Sequence, residues 1–115
     1  MEIKEAVETM LENVGIPYRY RIFKGDEIPS PPFAVYWIGR EQLSGADDLI
    51  CIKEATVTIR LITSDKDFAV EEKIEAELSE VGQITSDISK DEDYVESEEA
   101  YVITYEFTLT TKIRR

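Results

Sequence analysis

The segment Tyr101-Val102-Ile103-Thr104-Tyr105-Glu106-Phe107-Thr108-Leu109-Thr110-Thr111-Lys112-Ile113 decides the fold class. Tyr101, Ile103, Tyr105, Phe107, Leu109 and Ile113 stand at alternate positions, opposed by Thr104, Glu106, Thr108, Thr110 and Lys112. A period of two is the mark of a strand with one buried and one wet face. Leu49 to Thr63 repeats the pattern, most cleanly where Val57, Ile59 and Leu61 oppose Thr56, Thr58, Arg60 and Ile62. It reads as one long strand, with Lys53-Glu54 as a candidate break.

Three further segments complete the sheet. Phe33-Ala34-Val35-Tyr36-Trp37-Ile38 is apolar on both faces, which fits a central strand or one covered by a neighbouring chain. Tyr18 to Phe23 alternates bulky apolar with basic residues and ends at the Lys24-Gly25-Asp26 turn. The run Pro29-Ser30-Pro31-Pro32 lacks ladder donors and reads as an extended connection. Gly39 to Asp48 reads as a surface loop, because Ser44, Gly45, Asp47 and Asp48 favour turns. Gln83 to Ser89 gives a short strand signal through Ile84 and Ile88, with Lys90-Asp91-Glu92-Asp93 as its turn.

Two stretches follow the helical period instead. Ile3, Ala6, Val7, Met10, Leu11 and Val14 recur at spacings of three and four, with Glu2, Glu5, Glu8 and Glu12 outside the stripe. Gly15 and Pro17 stop this helix near Asn13 or Val14. A second helix is expected over 65–81, capped by Ser64, favoured by Asp67, striped by Val70, Ile74, Leu78 and Val81, and ended by Gly82. The order α-β-β-β-α-β-β over 1–115 predicts a single α+β domain. Its core is an about five-stranded, largely antiparallel sheet with two helices on one face. The opposite face carries the Thr/Glu/Lys series and Arg19 and Arg21, so strand edges are the expected contact surfaces.

Composition narrows the function. Thirteen Lys and Arg against 25 Asp and Glu give a formal charge of −12 in 115 residues, which repels phosphate polymers and anionic membranes. The longest apolar runs are too short to span a bilayer. The opening Met1-Glu2-Ile3-Lys4-Glu5 lacks the basic and apolar regions of a signal, and one cysteine makes no internal disulfide. The expectation is a soluble protein of a reducing cytoplasm.

The search for chemistry yields no catalytic residue, cofactor site or metal site. Histidine is absent, which removes the usual serine and cysteine triads and the commonest metal ligand. Cys51 sits in an alternating strand and reads as a packing residue. The five glycines are isolated, so no phosphate-binding loop forms. Asp65-Lys66-Asp67 starts like a calcium loop, but Ala69 and Val70 stand where a ligand and the turning glycine belong. Asp91, Glu92, Asp93, Glu96, Glu98 and Glu99 lack ligand spacing and read as a solvated hairpin tip.

The order of several strings carries a resemblance. An N-terminal helix ending in Gly15-Ile16-Pro17 is followed by Pro31-Pro32-Phe33-Ala34-Val35-Tyr36 and Gly45-Ala46-Asp47-Asp48. Val57-Thr58-Ile59-Arg60-Leu61-Ile62-Thr63, Lys66-Asp67, Glu72-Lys73-Ile74-Glu75-Ala76-Glu77-Leu78 and Tyr94-Val95-Glu96-Ser97-Glu98 continue it. Together they resemble the small tail-completion or tail-terminator proteins of long-tailed bacteriophages and prophages of Gram-positive bacteria. The resemblance implies a structural role in the neck or upper tail, without catalytic residue or cofactor. It implies a homo-oligomeric ring, often a hexamer, that caps the tail tube, meets neck and connector proteins, and joins tail to head. It also implies assembly in the host cytoplasm and residence in the virion.

A ring subunit needs two different exposed edges for head-to-tail contact. Tyr36, Trp37 and Arg40 are the candidate interface residues, since large aromatics and arginine are enriched in interface cores. Asp47, Asp48, Asp91, Glu92 and Asp93 are candidates to line a lumen or meet a neighbouring ring, where like charge keeps passing DNA unbound. The alternatives are another head-tail connector component and an acidic DNA-mimicking inhibitor of a host protein. The spread of carboxylates over both helices and the hairpin counts against the mimic.

Overall fold

The computed structural model describes residues 2–45 and 50–114. Helix α1 is Ile3–Val14 and buries the stripe read from the sequence: Ile3, Ala6, Val7, Met10, Leu11 and Val14. Gly15 closes it at φ 86°, where its N–H reaches the Leu11 carbonyl at 3.2 Å. Strand β1 is Tyr18–Tyr20 and β2 is Phe33–Gly45, entered through a cis Pro31–Pro32 peptide. Strand β3 is Ile50–Thr63, helix α2 is Phe68–Ser79, β4 is Ser89–Val95 and β5 is Ala100–Arg114.

The five strands form one sheet in the order β1-β2-β3-β5-β4. Only the β1–β2 pair is parallel; the other three are antiparallel, so the sheet is mixed and the α+β class holds. Strands β3 and β5 pair without interruption from Ile50↔Arg114 to Thr63↔Tyr101, and no break occurs at Lys53-Glu54.

One face carries the core. Ala34, Tyr36, Ala55, Val57, Ile59, Leu61, Ile103, Tyr105, Phe107 and Leu109 alternate inward and pack with the apolar stripes of α1 and α2. Tyr36 reaches Glu8 of α1 and Tyr105 reaches Glu75 of α2, which places both helices on this face. A 12-residue helix is about 18 Å long, whereas 15 strand residues span about 50 Å. The sheet therefore runs on past the helices as a three-stranded extension, and the molecule measures 52 × 28 × 22 Å. An ion pair between Lys53 and Glu41 at 3.3 Å links two strands of that extension, where Leu43 is 65% exposed.

Several sequence expectations shift. The stretch from Gly39, read as a loop, continues β2 as far as Gly45. Gly39 and Arg40 together oppose Thr56 as a bulge between the pairs Ile38↔Val57 and Glu41↔Ala55, so pairing to β3 overrides the poor strand propensity of glycine and serine. Lys90-Asp91-Glu92-Asp93, read as a turn, lies inside β4, and the turn falls at Glu96–Glu98. Gln83 to Ser89 is not a regular strand: Ile84 makes one isolated bridge to Leu109, and only Ser89 joins β4. Asp67, not Ser64, caps α2, its Oδ1 accepting from the Val70 N–H at 3.1 Å. Finally, β1 stops after Tyr20, because Arg21 turns to φ 71° and leaves the extended region.

Candidate interaction surfaces

Because side chains alternate across a strand, the register fixes what the helix-free face presents. One row across the strands is Arg19, Val35, Arg60, Thr104 and Asp91. The row on one side is Phe33, Ile62, Val102 and Asp93; on the other it is Trp37, Thr58, Glu106 and Ser89. Val35 and Thr58 are buried by their neighbours, and Phe33, Trp37, Ile62 and Val102 are half-buried. The face is thus apolar along its middle, basic toward β1 and acidic toward β4.

Trp37 sits between two guanidinium groups. The Arg21 carbon lies 5.4 Å and the Arg60 carbon 5.1 Å from the indole centroid. Both distances are within the reach of cation–π attraction. Arg40 is exposed in the β2 bulge, in a shallow depression lined also by Gln42, Glu54 and Thr56. Tyr36 belongs elsewhere: it points to the helices and is 0% exposed, so its side chain meets no partner. Its hydroxyl donates to Glu8 at 2.5 Å, and burial together with that bond pushes its pKa up. Residue type alone points to Tyr36 as an interface group, but its parity with Ala34 and Ile38 assigns it to the inner face.

The acidic candidates divide in the same way. Asp47 and Asp48 lie outside the described residues. Asp91 and Asp93 project from the helix-free face of β4 and are exposed. Glu92 projects to the helix side, opposite Ile103, and pairs with Lys66.

Lys66 belongs to a charge cluster that sequence reading missed. Glu71, in the first turn of α2 and 2% exposed, holds Lys66 at 2.7 Å and Lys90 at 2.9 Å. Lys90 also meets Glu75 at 2.7 Å, and Glu75 accepts from the Tyr105 hydroxyl at 2.8 Å. Burial alone drives the Glu71 pKa upward, but hydrogen bonds from both lysines outweigh it and hold the carboxyl below its ordinary range. Hydrogen bonding by Lys90 likewise lowers Glu75. The lysines rise in turn, Lys66 chiefly through Glu71 and Lys90 chiefly through Glu75. A sequence signal existed, since Glu71 stands one residue from Val70 and three from Ile74 on the buried stripe.

The cluster clamps the edge strand β4 onto α2, and all its groups have partners. Between the C-terminal ends of the helices, a groove of about 270 Å³ is lined by Ala6, Met10, Asn13, Glu77 and Val81. Among the described residues no three His, Cys, Asp or Glu side chains are grouped to hold a metal ion. No helix among them is long and apolar enough to cross a membrane. No protein-family model matches the chain, and no curated protein matches it.

Proposed function

We propose that the chain is a non-enzymatic virion structural protein: a tail-terminator or tail-completion subunit. It forms a ring, caps the tail tube and joins tail to head. The observation that supports this reading best is that the sheet ends in two free and unlike edges. At one end lies the three-residue β1, followed by Arg21, with β2 reaching past it. At the other lies β4 with Asp91, Glu92 and Asp93. Unlike edges at opposite ends of one sheet suit head-to-tail contact, which closes into a ring when the rotation between neighbours allows it. The exposed carboxylates of Asp91 and Asp93 remain available to a lumen or a neighbouring ring, where they repel DNA that passes without being bound.

On this reading the protein assembles in the host bacterial cytoplasm and resides in the virion neck or tail. Its partners are its own copies, the tail tube and the connector proteins. The test is removal of the gene from an inducible phage, with particles viewed by negative-stain electron microscopy. The expected result is full heads and separate tails, rejoined when the purified chain is added to the lysate. Normal yields of joined particles without the gene would overturn the reading.

A further inference from the structure

We propose that the edge of β2 left open beyond β1 pairs, strand to strand, with the open edge of β4 of a neighbouring copy of this chain. The proposal rests on the ring reading and names the contact that would build it. Strand β1 covers β2 only from Ala34 to Tyr36, whereas β2 runs on to Gly45. On the covered part, the Pro17 carbonyl accepts from the Ala34 N–H at 2.9 Å and the Tyr36 carbonyl accepts from the Arg21 N–H at 2.7 Å. Even-numbered residues of β2 therefore turn their main-chain groups toward this edge. At Ile38 the covering strand has ended, and the Tyr20 hydroxyl meets both the Ile38 N–H, at 3.2 Å, and its carbonyl, at 3.4 Å. The bulge at Gly39 and Arg40 then changes the parity. From there Glu41, Leu43 and Gly45 turn their N–H and C=O groups outward, with no strand beside them among the described residues.

The far edge is built the same way. Carried through the register of β3 and β5, the alternation turns the main-chain groups of Ser89, Asp91 and Asp93 toward β5 and those of Lys90, Glu92 and Tyr94 outward. The Tyr94 N–H is taken by the side chain of Asp93, whose Oδ1 accepts at 2.9 Å. On each edge a side chain thus stands in for a missing strand, at Ile38 and at Tyr94. Outward rows of main-chain donors and acceptors are what an added strand satisfies. Two different edges that satisfy each other make a head-to-tail contact.

Direction and register follow from the residues. The steps from β2 to β3, β5 and β4 are all antiparallel, so β4 of a like-oriented copy runs antiparallel to β2. Leu43 then stands opposite Tyr94 of the neighbour, and Gly45 opposite Glu92. This register joins two exposed apolar side chains, Leu43 at 65% and Tyr94 at 46%, on the helix side of the sheet. A slip of two residues either way sets Leu43 against a carboxylate, that of Glu92 or that of Glu96. Past Tyr94, the neighbour's acidic turn at Glu96–Glu98 runs toward an open hollow lined by Lys4, Tyr20, Ile38, Gly39 and Glu41. Lys4 and the exposed Arg40 supply positive charge there, while Glu41 is already paired with Lys53. The pairing uses main-chain groups, so the carboxylates of Asp91 and Asp93 still project from the helix-free face.

Disulfide trapping on the full chain tests the pairing. Opposed residues of a hydrogen-bonded antiparallel pair have Cα atoms about 5.5 Å apart, a separation that a disulfide spans. Leu43→Cys and Tyr94→Cys are made separately, each with Cys51→Ala, then mixed across a concentration series and oxidised with copper phenanthroline. Circular dichroism confirms that each variant folds. Non-reducing electrophoresis and mass spectrometry are expected to show the crossed dimer at least about tenfold above either like dimer, and a ladder of higher species from the double variant. Lys90→Cys in place of Tyr94→Cys moves the thiol four residues, about 13 Å, along β4 and is expected to lose the product. A crossed dimer no more abundant than the like dimers, or one that Lys90→Cys gives equally well, overturns the edge pairing. Sedimentation velocity of the wild type separates this failure from failure of the ring reading. Larger species without the crossed product leave a ring built on another contact, and removal of the gene tests the ring reading independently of either result.

Discussion

Lys90 Nζ lies 2.9 Å from a carboxylate oxygen of Glu71, joining the edge strand β4 to the buried first turn of α2. Strand β4 has one paired strand, β5, and Lys90–Glu75 and Glu92–Lys66 are its further ties to the helix side. Its residues are almost all exposed, so hydrophobic burial contributes little to its position. Of these ties, the contact with Glu71 is the one that reaches a buried carboxylate.

Replacing Glu71 by Ala removes two ion pairs at once. Removing one member of a fully buried pair is strongly destabilising because a charge is left without a partner. Here Lys66 keeps Glu92 and Lys90 keeps Glu75, and both lysines reach water, so the loss is smaller. Urea unfolding is expected to show about 1–3 kcal/mol of destabilisation. A change below about 0.5 kcal/mol would contradict the clamp.

The same cluster sets the pH limits. Glu71 and Glu75 have folded pKa values below the ordinary carboxyl value of 4.5. Their contribution is present above that value and is lost as pH falls through the lower folded values. Lys66, Lys90, Tyr36 and Tyr105 have raised folded values. Their contribution is full below the unfolded values of 10.5 for lysine and 10.0 for tyrosine, and is lost as pH rises through the folded ones. Tyr18, pushed up to about 12 by its hydrogen bond to Glu12, adds to the alkaline limb. The urea midpoint should be level near neutral pH and fall below 4.5 and above 10. Equal midpoints at neutral pH and well below 4.5 would contradict this assignment.

Tyr36 and Trp37 are neighbours in sequence on opposite faces of β2, and truncation separates them. Tyr36→Ala empties a fully buried site and is expected to destabilise by about 3–5 kcal/mol. Tyr36→Phe removes only the hydroxyl bonded to Glu8 and is expected to cost about 1 kcal/mol. Trp37→Ala removes a half-buried ring from the open face and should fall below Tyr36→Ala, at about 1–2 kcal/mol. Thermal unfolding followed by circular dichroism ranks the three. A Trp37→Ala loss equal to that of Tyr36→Ala would mean that the open face is packed as tightly as the core.

Much of the architecture is legible because one-sided burial writes itself into sequence. The 3.6-residue stripe of Ile3 to Val14 gives α1 with its end at Asn13 or Val14, and the alternations of β3 and β5 give two interior strands and their inner faces. Where burial stops, so does the signal. Beyond Ile38, β2 leaves the cover of the helices and exposes both faces, so Glu41 to Gly45 carries no period and reads as loop. Strand β4 is charged because it is an edge, and its charges imitate a turn. The parallel docking of β1 depends on the path from Arg21 to Pro32, which no local pattern encodes. The clamp is hidden for a related reason: Glu71 is a charged residue on a buried helical face, and its partners arrive from Lys66 and from a strand whose sequence reads as a turn.

Gly15 closes α1 at φ 86°, and nothing lies within 4 Å of the place a Cβ would occupy, so crowding plays no part in its requirement. Backbone conformation alone selects glycine there. Gly15→Ala is expected to destabilise by about 1 kcal/mol, with Gly15→Asn intermediate, because asparagine tolerates the left-handed region better. Thermal melts of the three proteins check the order. Alanine matching glycine would show that the helix end rearranges rather than strains.

Amide hydrogen exchange should follow the depth of pairing across the sheet. Strand β3 lies between β2 and β5 and pairs along its whole length, and its inward residues Val57, Ile59 and Leu61 are 0% exposed. Their amides, and those of Ile103 and Tyr105 opposite them, are expected to exchange only through global unfolding. Strand β1 is held by three register pairs and ends at the positive φ of Arg21, a conformation that strains a non-glycine residue. Its amides should exchange through local opening, faster than those of β3 by a factor of about a hundred or more under conditions where the protein stays folded. Strand β4 should fall between them and move toward β1 in Glu71→Ala, because that variant removes the Lys90–Glu71 contact and leaves β5 pairing unchanged. Exchange in β4 that does not respond to Glu71→Ala would show that pairing to β5 alone sets its stability.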